Sequence, residues 1–151
     1  MSKQDLFSNV AAEPQSSPSL RVLIVDDYEP WRRWVYSELE MQQHLQVVGE
    51  AGDGLDAVRK AYELKPDIIL LDLDLPNLDG LEVANRIAQS APDAKIIFLT
   101  TQNNPELVKQ AFRNGATGYV LKGDANQELL SAVALVIRGR RFISGRLTIE
   151  F

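Results

Sequence analysis

At 151 residues, with a hydrophobic share of 45% and a charged share of 25%, the chain has the size and balance of one globular domain. It contains no cysteine, which excludes disulfide scaffolds, thiolate nucleophiles and thiolate-bound metals together. A formal charge of −5 disfavours unaided binding to a phosphate backbone, because that affinity comes from Lys and Arg displacing counterions.

The first stretch, MSKQDLFSNVAAEPQSSPS, is rich in Ser, Gln, Ala and Pro and has little apolar periodicity, so residues 1–19 are expected to form a flexible tail. It lacks the basic stretch and long apolar run of a signal peptide, and no later segment is apolar enough to cross a bilayer. A cytoplasmic protein without membrane contact is expected.

From Leu20 onward, short aliphatic runs alternate with helix-period segments, the pattern of parallel strands joined by crossover helices. The predicted strands are RVLIV (21–25), VVGEA (47–51), DIILL (67–71), KIIFLT (95–100) and GYVLK (118–122). The first, third and fourth are almost wholly apolar, as strands covered on both faces must be, whereas the Gly and Glu of VVGEA suit an edge. The predicted helical stripes are Trp31, Trp34, Val35 and Leu39; Leu55, Val58, Ala61 and Tyr62; Ala84, Ile87, Ala88 and Ala91; Val108, Ala111 and Phe112; and Leu130, Val133, Ala134 and Ile137. Pro30 and Pro105 mark helix starts, Lys65-Pro66, Gly115 and Gly139 mark helix ends, and Asp124 with Gln127 forms a candidate capping pair. The expected fold is a doubly wound five-stranded parallel sheet in the flavodoxin-like order 2-1-3-4-5, with helices on both faces, over residues 20–141. Residues 142–151 are expected to be a C-terminal tail or the start of a linker.

Open parallel sheets bind ligands beyond the carboxyl ends of their strands. Asp26 and Asp27 follow the first strand, Asp72 follows the third, Thr100 ends the fourth and Lys122 ends the fifth. Three clustered carboxylates repel, so they protonate or recruit a cation, and an oxygen-only set on an open rim suits Mg²⁺. A carboxylate can attack phosphorus to form an acyl phosphate while a metal and a Lys hold the charge of the transferring group, which makes Asp72 the candidate nucleophile and Lys122 the candidate clamp.

The segments VDDYEP, LLDLDLPNLDG, IIFLTT and GATGYVLK, in this order and spacing, resemble the signatures of response-regulator receiver domains in two-component signalling. The resemblance implies that Asp27 binds Mg²⁺ directly, that Asp26 acts through a water, and that the backbone carbonyl of Asp74 completes the ligand set. It further implies phosphoryl transfer to Asp72 from a sensor histidine kinase or phosphotransfer protein, a Thr100 hydroxyl that reaches the phosphoryl oxygens, and a Tyr119 ring that turns inward as Thr100 moves. Such a protein is a self-phosphorylating and autodephosphorylating switch rather than an enzyme with external turnover. Its partners would be an output domain or another protein, and a homodimer formed on phosphorylation through the fourth helix, fifth strand and fifth helix. GRRFISGRL resembles the receiver end of regulators whose next module is a DNA-binding helix-turn-helix, so DNA contact is expected only through a domain absent from this chain. The end at Phe151 leaves open a truncated transcription regulator or a stand-alone receiver.

Four residues depart from the family's pattern. Asp74 occupies a position where Asn or Met is frequent, and Thr101 and Gln102 follow Thr100 where a small residue is common, so these three are expected to tune the lifetime of the phosphoaspartate. Gly123 replaces a frequent Pro after Lys122.

Taken singly, Asp26-Asp27 would cap a turn, Asp72 would cap the next segment and Lys122 would be solvated. Their joint placement on successive strand ends is what argues for a site. Asp72-Leu73-Asp74 also resembles the motif of aspartate-nucleophile phosphatases, but Leu75-Pro76 replaces the small hydroxylated residue usual there. A third reading is an interaction module that keeps the fold without phosphorylation. His44, the only histidine, has no partners at metal-ligand spacing and is expected at the surface. Arg138, Arg140, Arg141 and Arg146 are expected to solvate a helix terminus.

Overall fold

The computed structural model describes residues 19–150, so the expected tail falls outside the described residues except for Ser19. The elements are β1 (Leu20–Val25), α1 (Glu29–Glu40), β2 (Leu45–Ala51), α2 (Gly54–Leu64), β3 (Ile68–Leu71), α3 (Gly80–Ser90), β4 (Lys95–Thr100), α4 (Pro105–Arg113), β5 (Gly118–Leu121), α5 (Ala125–Ile137) and β6 (Phe142–Ile143). A single 3₁₀ turn, Lys122–Asp124, joins β5 to α5.

The strands run parallel in the order β2-β1-β3-β4-β5-β6. The flavodoxin-like order and the edge position of β2 are as expected from the sequence, but the count of five is corrected to six. Phe142 and Ile143 pair with Gly118 and Tyr119. With only two paired residues, β6 is too short for its alternation to be visible in the sequence.

Alternation along each strand divides the core. Val22 and Ile24, Ile68 and Leu70, Ile97 and Leu99 face α1 and α5 through Val35, Leu39, Leu129 and Val133. Leu23 and Val25, Ile69 and Leu71, Ile96 and Phe98 face α2, α3 and α4 through Ala61, Val83, Ile87 and Val108. Helix starts are fixed by side chains: Asp53 accepts from Asp56 N, Asp79 from Glu82 N and Asn104 from Glu106 N.

Three sequence expectations are revised. Leu55 and Tyr62 on α2 are exposed, as is Ala88 on α3, so these helices seat narrower stripes centred on Ala57 and Ala61 and on Val83, Ala84 and Ile87. The Asp124 side chain makes no capping bond to α5; it pairs with Arg146 instead, at 3.0 Å. Arg146 therefore leaves the basic group expected around the end of α5. His44 is half-exposed in the turn before β2, where its carbonyl accepts from Leu20 N at 2.8 Å.

Candidate functional site

Strand register assembles the site. Val25 pairs with Leu71, so Asp26 and Asp72 emerge side by side, and Asp72 N donates to Val25 O at 3.1 Å. Thr100 pairs with Leu121, which places Lys122 one residue beyond the same rim, at the start of the 3₁₀ turn rather than in the strand. Gly80 closes the loop after β3: its N–H donates to Leu73 O at 2.8 Å, and a Cβ there would lie 2.3 Å from Asp72 O.

The Lys122 ammonium donates to Asp72 Oδ2 at 3.2 Å and lies 2.6 Å from Asp26 Oδ2. The second contact is a buried ion pair, and Asp26 Oδ2 has no hydrogen-bond partner besides that ammonium. Asp26 Oδ1 accepts from Tyr28 N at 2.9 Å, and Asp72 Oδ1 accepts from Leu73 N at 2.8 Å. Asp26 and Asp72 are buried whereas Asp27 is exposed at the mouth, and one oxygen from each of the three lies within 4.8 Å of the others. Three carboxylates facing one ammonium leave a negative excess at this point.

Burial is the main influence on Asp72 and raises its pKa; the nearby Asp26 charge acts in the same direction, against the opposing pull of Lys122 and Thr100. Burial works against the Lys122 ammonium, but Asp26 and Asp72 outweigh it and hold its proton more firmly than usual. The oxygen-only donor set and the excess of carboxylates over the single ammonium fit a hard divalent cation such as Mg²⁺.

Gln102 joins three parts of the rim. Its N–H donates to Thr100 Oγ1 at 3.3 Å, its Nε2 donates to Asp74 Oδ2 at 3.0 Å, and its carbonyl accepts from Tyr119 Oη at 2.6 Å. Tyr119 is fully buried, with its ring 6.2 Å from that of Phe98. Its hydroxyl is held well above the usual phenol range, first by burial and then by the charges of Asp72 and Asp74.

The family pattern described as "Response regulator receiver domain" matches residues 22–134. The chain belongs to the response regulator receiver domains. This receiver is 38% identical to the response regulator GacA of Pseudomonas viridiflava over 125 residues, which are 83% of this chain and 58% of that protein. It is 36% identical to the oxygen regulatory protein NreC of Staphylococcus aureus strain JH9 over 130 residues, 85% of this chain and 60% of that protein. The receiver thus spans about 58–60% of the length of these relatives. Among solved structures, a LuxR-family two-component response regulator from Aurantimonas sp. SI85-9A1 superimposes with a TM-score of 0.82 at 33% identity, covering 85% of this chain and 92% of that one. None of the receiver's described helices is long and apolar enough to cross a membrane.

The receiver's rim gathers Asp26, Asp27, Asp72, Thr100 and Lys122, with Asp74, Gln102 and Tyr119 around them, while Thr101 is exposed at the edge. Sequence reasoning missed two contributors. Arg32 donates to Asp26 O at 2.6 Å and pairs with Glu50 at 3.2 Å, and the Lys122 ammonium lies 5.3 Å from the centre of the Trp31 ring. Arg32 is bound to a backbone carbonyl, which no residue pattern marks. Trp31 stacks on Trp34 at 4.9 Å and was visible only as part of a core stripe.

Proposed function

We propose that this receiver accepts a phosphoryl group on Asp72 from a sensor histidine kinase or phosphotransfer protein in an Mg²⁺-dependent reaction. The observation that carries this reading is the Lys122 ammonium set between Asp26 and Asp72 with Asp27 beside them. Asp27, Asp72 and the backbone carbonyl of Asp74 would hold Mg²⁺, with Asp26 acting through a water. Bound Mg²⁺ would neutralise charge on the transferring phosphoryl oxygens.

In the transfer, a carboxylate oxygen of Asp72 attacks phosphorus while the donor's phosphorus–nitrogen bond breaks and its imidazole keeps the electron pair. Burial favours this attack by stripping water from the nucleophile, and the Leu73 N–H and Lys122 ammonium keep the carboxylate oriented. Once formed, the phosphoryl group adds roughly −1.5 to −2 charge and three acceptor oxygens beside Thr100 and Lys122. Thr100 would turn its hydroxyl towards those oxygens and give up the Gln102 N–H, which disturbs the carbonyl that holds Tyr119.

The output is a further domain or a protein partner, with homodimerisation through α4, β5 and α5. Contact with DNA would come through a domain beyond this chain. Since β6 pairs along the outer edge of β5, α4 and α5 would carry the contacts of such a dimer. The phosphatase reading needs Asp74 as a free acid and base, whereas its Oδ2 is tied to Gln102.

Intact mass after incubation with acetyl phosphate and Mg²⁺ tests the proposal. One added phosphoryl group, lost in Asp72→Asn and in EDTA, is the expected result. Continuous phosphate release without an adduct would replace it with the phosphatase reading, and inertness with a scaffold.

A further inference from the structure

The segment 142–146 contacts the chain on both sides of Lys122, through the Leu121 backbone and the Asp124 side chain. The ladder between β5 and β6 runs from Phe142 N to Thr117 O and from Ser144 N to Tyr119 O. The next donor, Leu121 N, is taken by the Ser144 hydroxyl at 2.8 Å instead of a carbonyl. Ser144 is fully buried, and its Oγ in turn donates to Glu128 Oε1 at 2.6 Å. Glu128 Oε2 accepts from Gly145 N at 3.0 Å, so both oxygens of this α5 carboxylate are committed to residues 144 and 145. Two residues past Lys122, Asp124 is paired with Arg146.

Between these two contacts Gly123 lies in open space, since a Cβ there would meet nothing within 4 Å. Yet Lys122 must hold its ammonium 2.6 Å from Asp26 and 3.2 Å from Asp72. The position of its backbone is therefore set by Leu121 on one side and Asp124 on the other. An oxygen with one accepted and one donated bond, in a site closed to water, has a single orientation and transmits the placement of Glu128 to Leu121.

We propose that Ser144, fixed by Glu128, is a positioning residue for phosphoryl transfer, holding Leu121 so that Lys122 bridges Asp26 and Asp72. The inference rests on the receiver chemistry proposed above. It makes residues 142–146, expected from the sequence to be tail or linker, part of the phosphoacceptor site. A partner or following domain that pulled on this strand would then change the reactivity of Asp72 without touching it.

The test compares wild type, Ser144→Ala and Val47→Ala, the last loosening the opposite edge strand, at a temperature where circular dichroism shows all three folded. Phosphoryl transfer is followed by intact mass over a range of acetyl phosphate concentrations, and Mg²⁺ binding by calorimetry. Ser144→Ala is expected to lower the rate at saturating donor by roughly tenfold, the order of loss that a misplaced catalytic group produces, with Mg²⁺ affinity unchanged. Val47→Ala is expected to melt earlier and react at the wild-type rate. A wild-type rate in Ser144→Ala, or an equal loss in Val47→Ala, overturns the inference.

If Ser144→Ala does not fold, Glu128→Ala takes its place. It should also slow transfer, and Glu128→Gln, whose oxygen can accept from Gly145 N while its amide group donates to Ser144 Oγ, should restore it in part; equal rates in the two overturn the inference. If wild type accepts no phosphoryl group, the receiver chemistry fails and Trp31 decides the positioning. Its emission, read in a Trp34→Phe background, reports the ammonium 5.3 Å away. A shift on Ser144→Ala supports displacement of Lys122, and an unchanged spectrum overturns it.

Discussion

The Tyr119 hydroxyl donates to the carbonyl oxygen of Gln102 at 2.6 Å, so a buried ring on β5 fastens the loop that leaves β4. The same Gln102 reaches Thr100 and Asp74, so one residue is hydrogen-bonded to the acceptor rim and to the aromatic residue behind it.

Tyr119→Phe removes that fastening. The expected cost is about 1 kcal/mol, or roughly 3 °C in melting temperature, with faster hydrogen exchange across residues 101–104. Because burial, Asp72 and Asp74 hold the phenol above its usual range, the bond should persist at alkaline pH. The sign follows: a raised folded-state pKa contributes stability that is complete below the unfolded phenol's pKa and is lost as pH rises towards the folded one. In an absorbance titration, the tyrosinate signal that separates wild type from Tyr119→Phe should appear only with unfolding. An earlier appearance would show the hydroxyl to be free.

Asp72→Asn should stabilise the Mg²⁺-free protein. The wild type confines three carboxylates with one ammonium, and burial raises the Asp72 pKa. The ionised form therefore costs stability at neutral pH. An increase of about 1 kcal/mol, near 3 °C, is expected for the variant at pH 7. As pH falls through the folded-state pKa of Asp72, the wild type takes up the proton and the gap between the two proteins narrows, closing near the unfolded value of 3.8. Thermal melts at a series of pH values check this, and a gap that widens on acidification would contradict it.

Much of this was legible before the structure. The nearly unbroken apolar runs at 21–25, 67–71 and 95–100 could only be strands covered on both faces, and the rule that ligands gather at strand ends then selected Asp26, Asp72 and Thr100. What stayed hidden depends on backbone partners. Arg32 serves a carbonyl of Asp26, Gln102 offers its carbonyl to Tyr119, and Ser144 completes a ladder that only tertiary pairing creates. Such contacts leave no residue pattern because any residue supplies the backbone atom. The exposure of Leu55 and Tyr62 was likewise invisible, since periodicity reports which residues share a face but not how closely a helix sits on its sheet.

Lys122→Met should destabilise more than it appears to from length alone. It leaves the buried Asp26 oxygen without its ionic neighbour and Asp72 Oδ2 without its donor, at a cost of about 2–3 kcal/mol. Adding Asp72→Asn to that variant should recover part of the loss, since one repelling charge goes. Mg²⁺ should raise the melting temperature of Lys122→Met by more than that of wild type, because the cation offsets the unbalanced carboxylates. Equal Mg²⁺ shifts in the two proteins would argue against binding at this cluster.

The contact between Gln102 Nε2 and Asp74 Oδ2 ties the segment after Asp72 to the loop that follows Thr100. Gln102→Ala opens that bridge, and the phosphoaspartate proposed at Asp72 should then hydrolyse faster, by roughly threefold to tenfold, as water gains freedom to align with phosphorus. Asp74→Asn keeps an acceptor oxygen and should change the lifetime less. Decay of the phosphorylated species, measured by intact mass after removal of the donor, separates these outcomes. Identical lifetimes in all three proteins would sink the tuning role.

Two glycines beside the site should respond to alanine with opposite sign. At Gly80 a Cβ would fall 2.3 Å from Asp72 O and 2.6 Å from Leu73 Cα, and both obstacles are backbone atoms of the segment that carries the nucleophile. Gly80→Ala must push the start of α3 away from β3, breaking the bond from Gly80 N to Leu73 O, for an expected loss of about 2–4 kcal/mol together with most phosphoryl acceptance. At Gly123 the same methyl meets nothing, and the backbone there does not take a positive φ. Gly123→Ala should therefore stabilise by about 0.4–1 kcal/mol through the lower entropy of the unfolded chain. Chemical denaturation of the two variants decides the matter: a stable Gly80→Ala protein would mean that the loop after β3 is not held as closely as the packing at Asp72 requires.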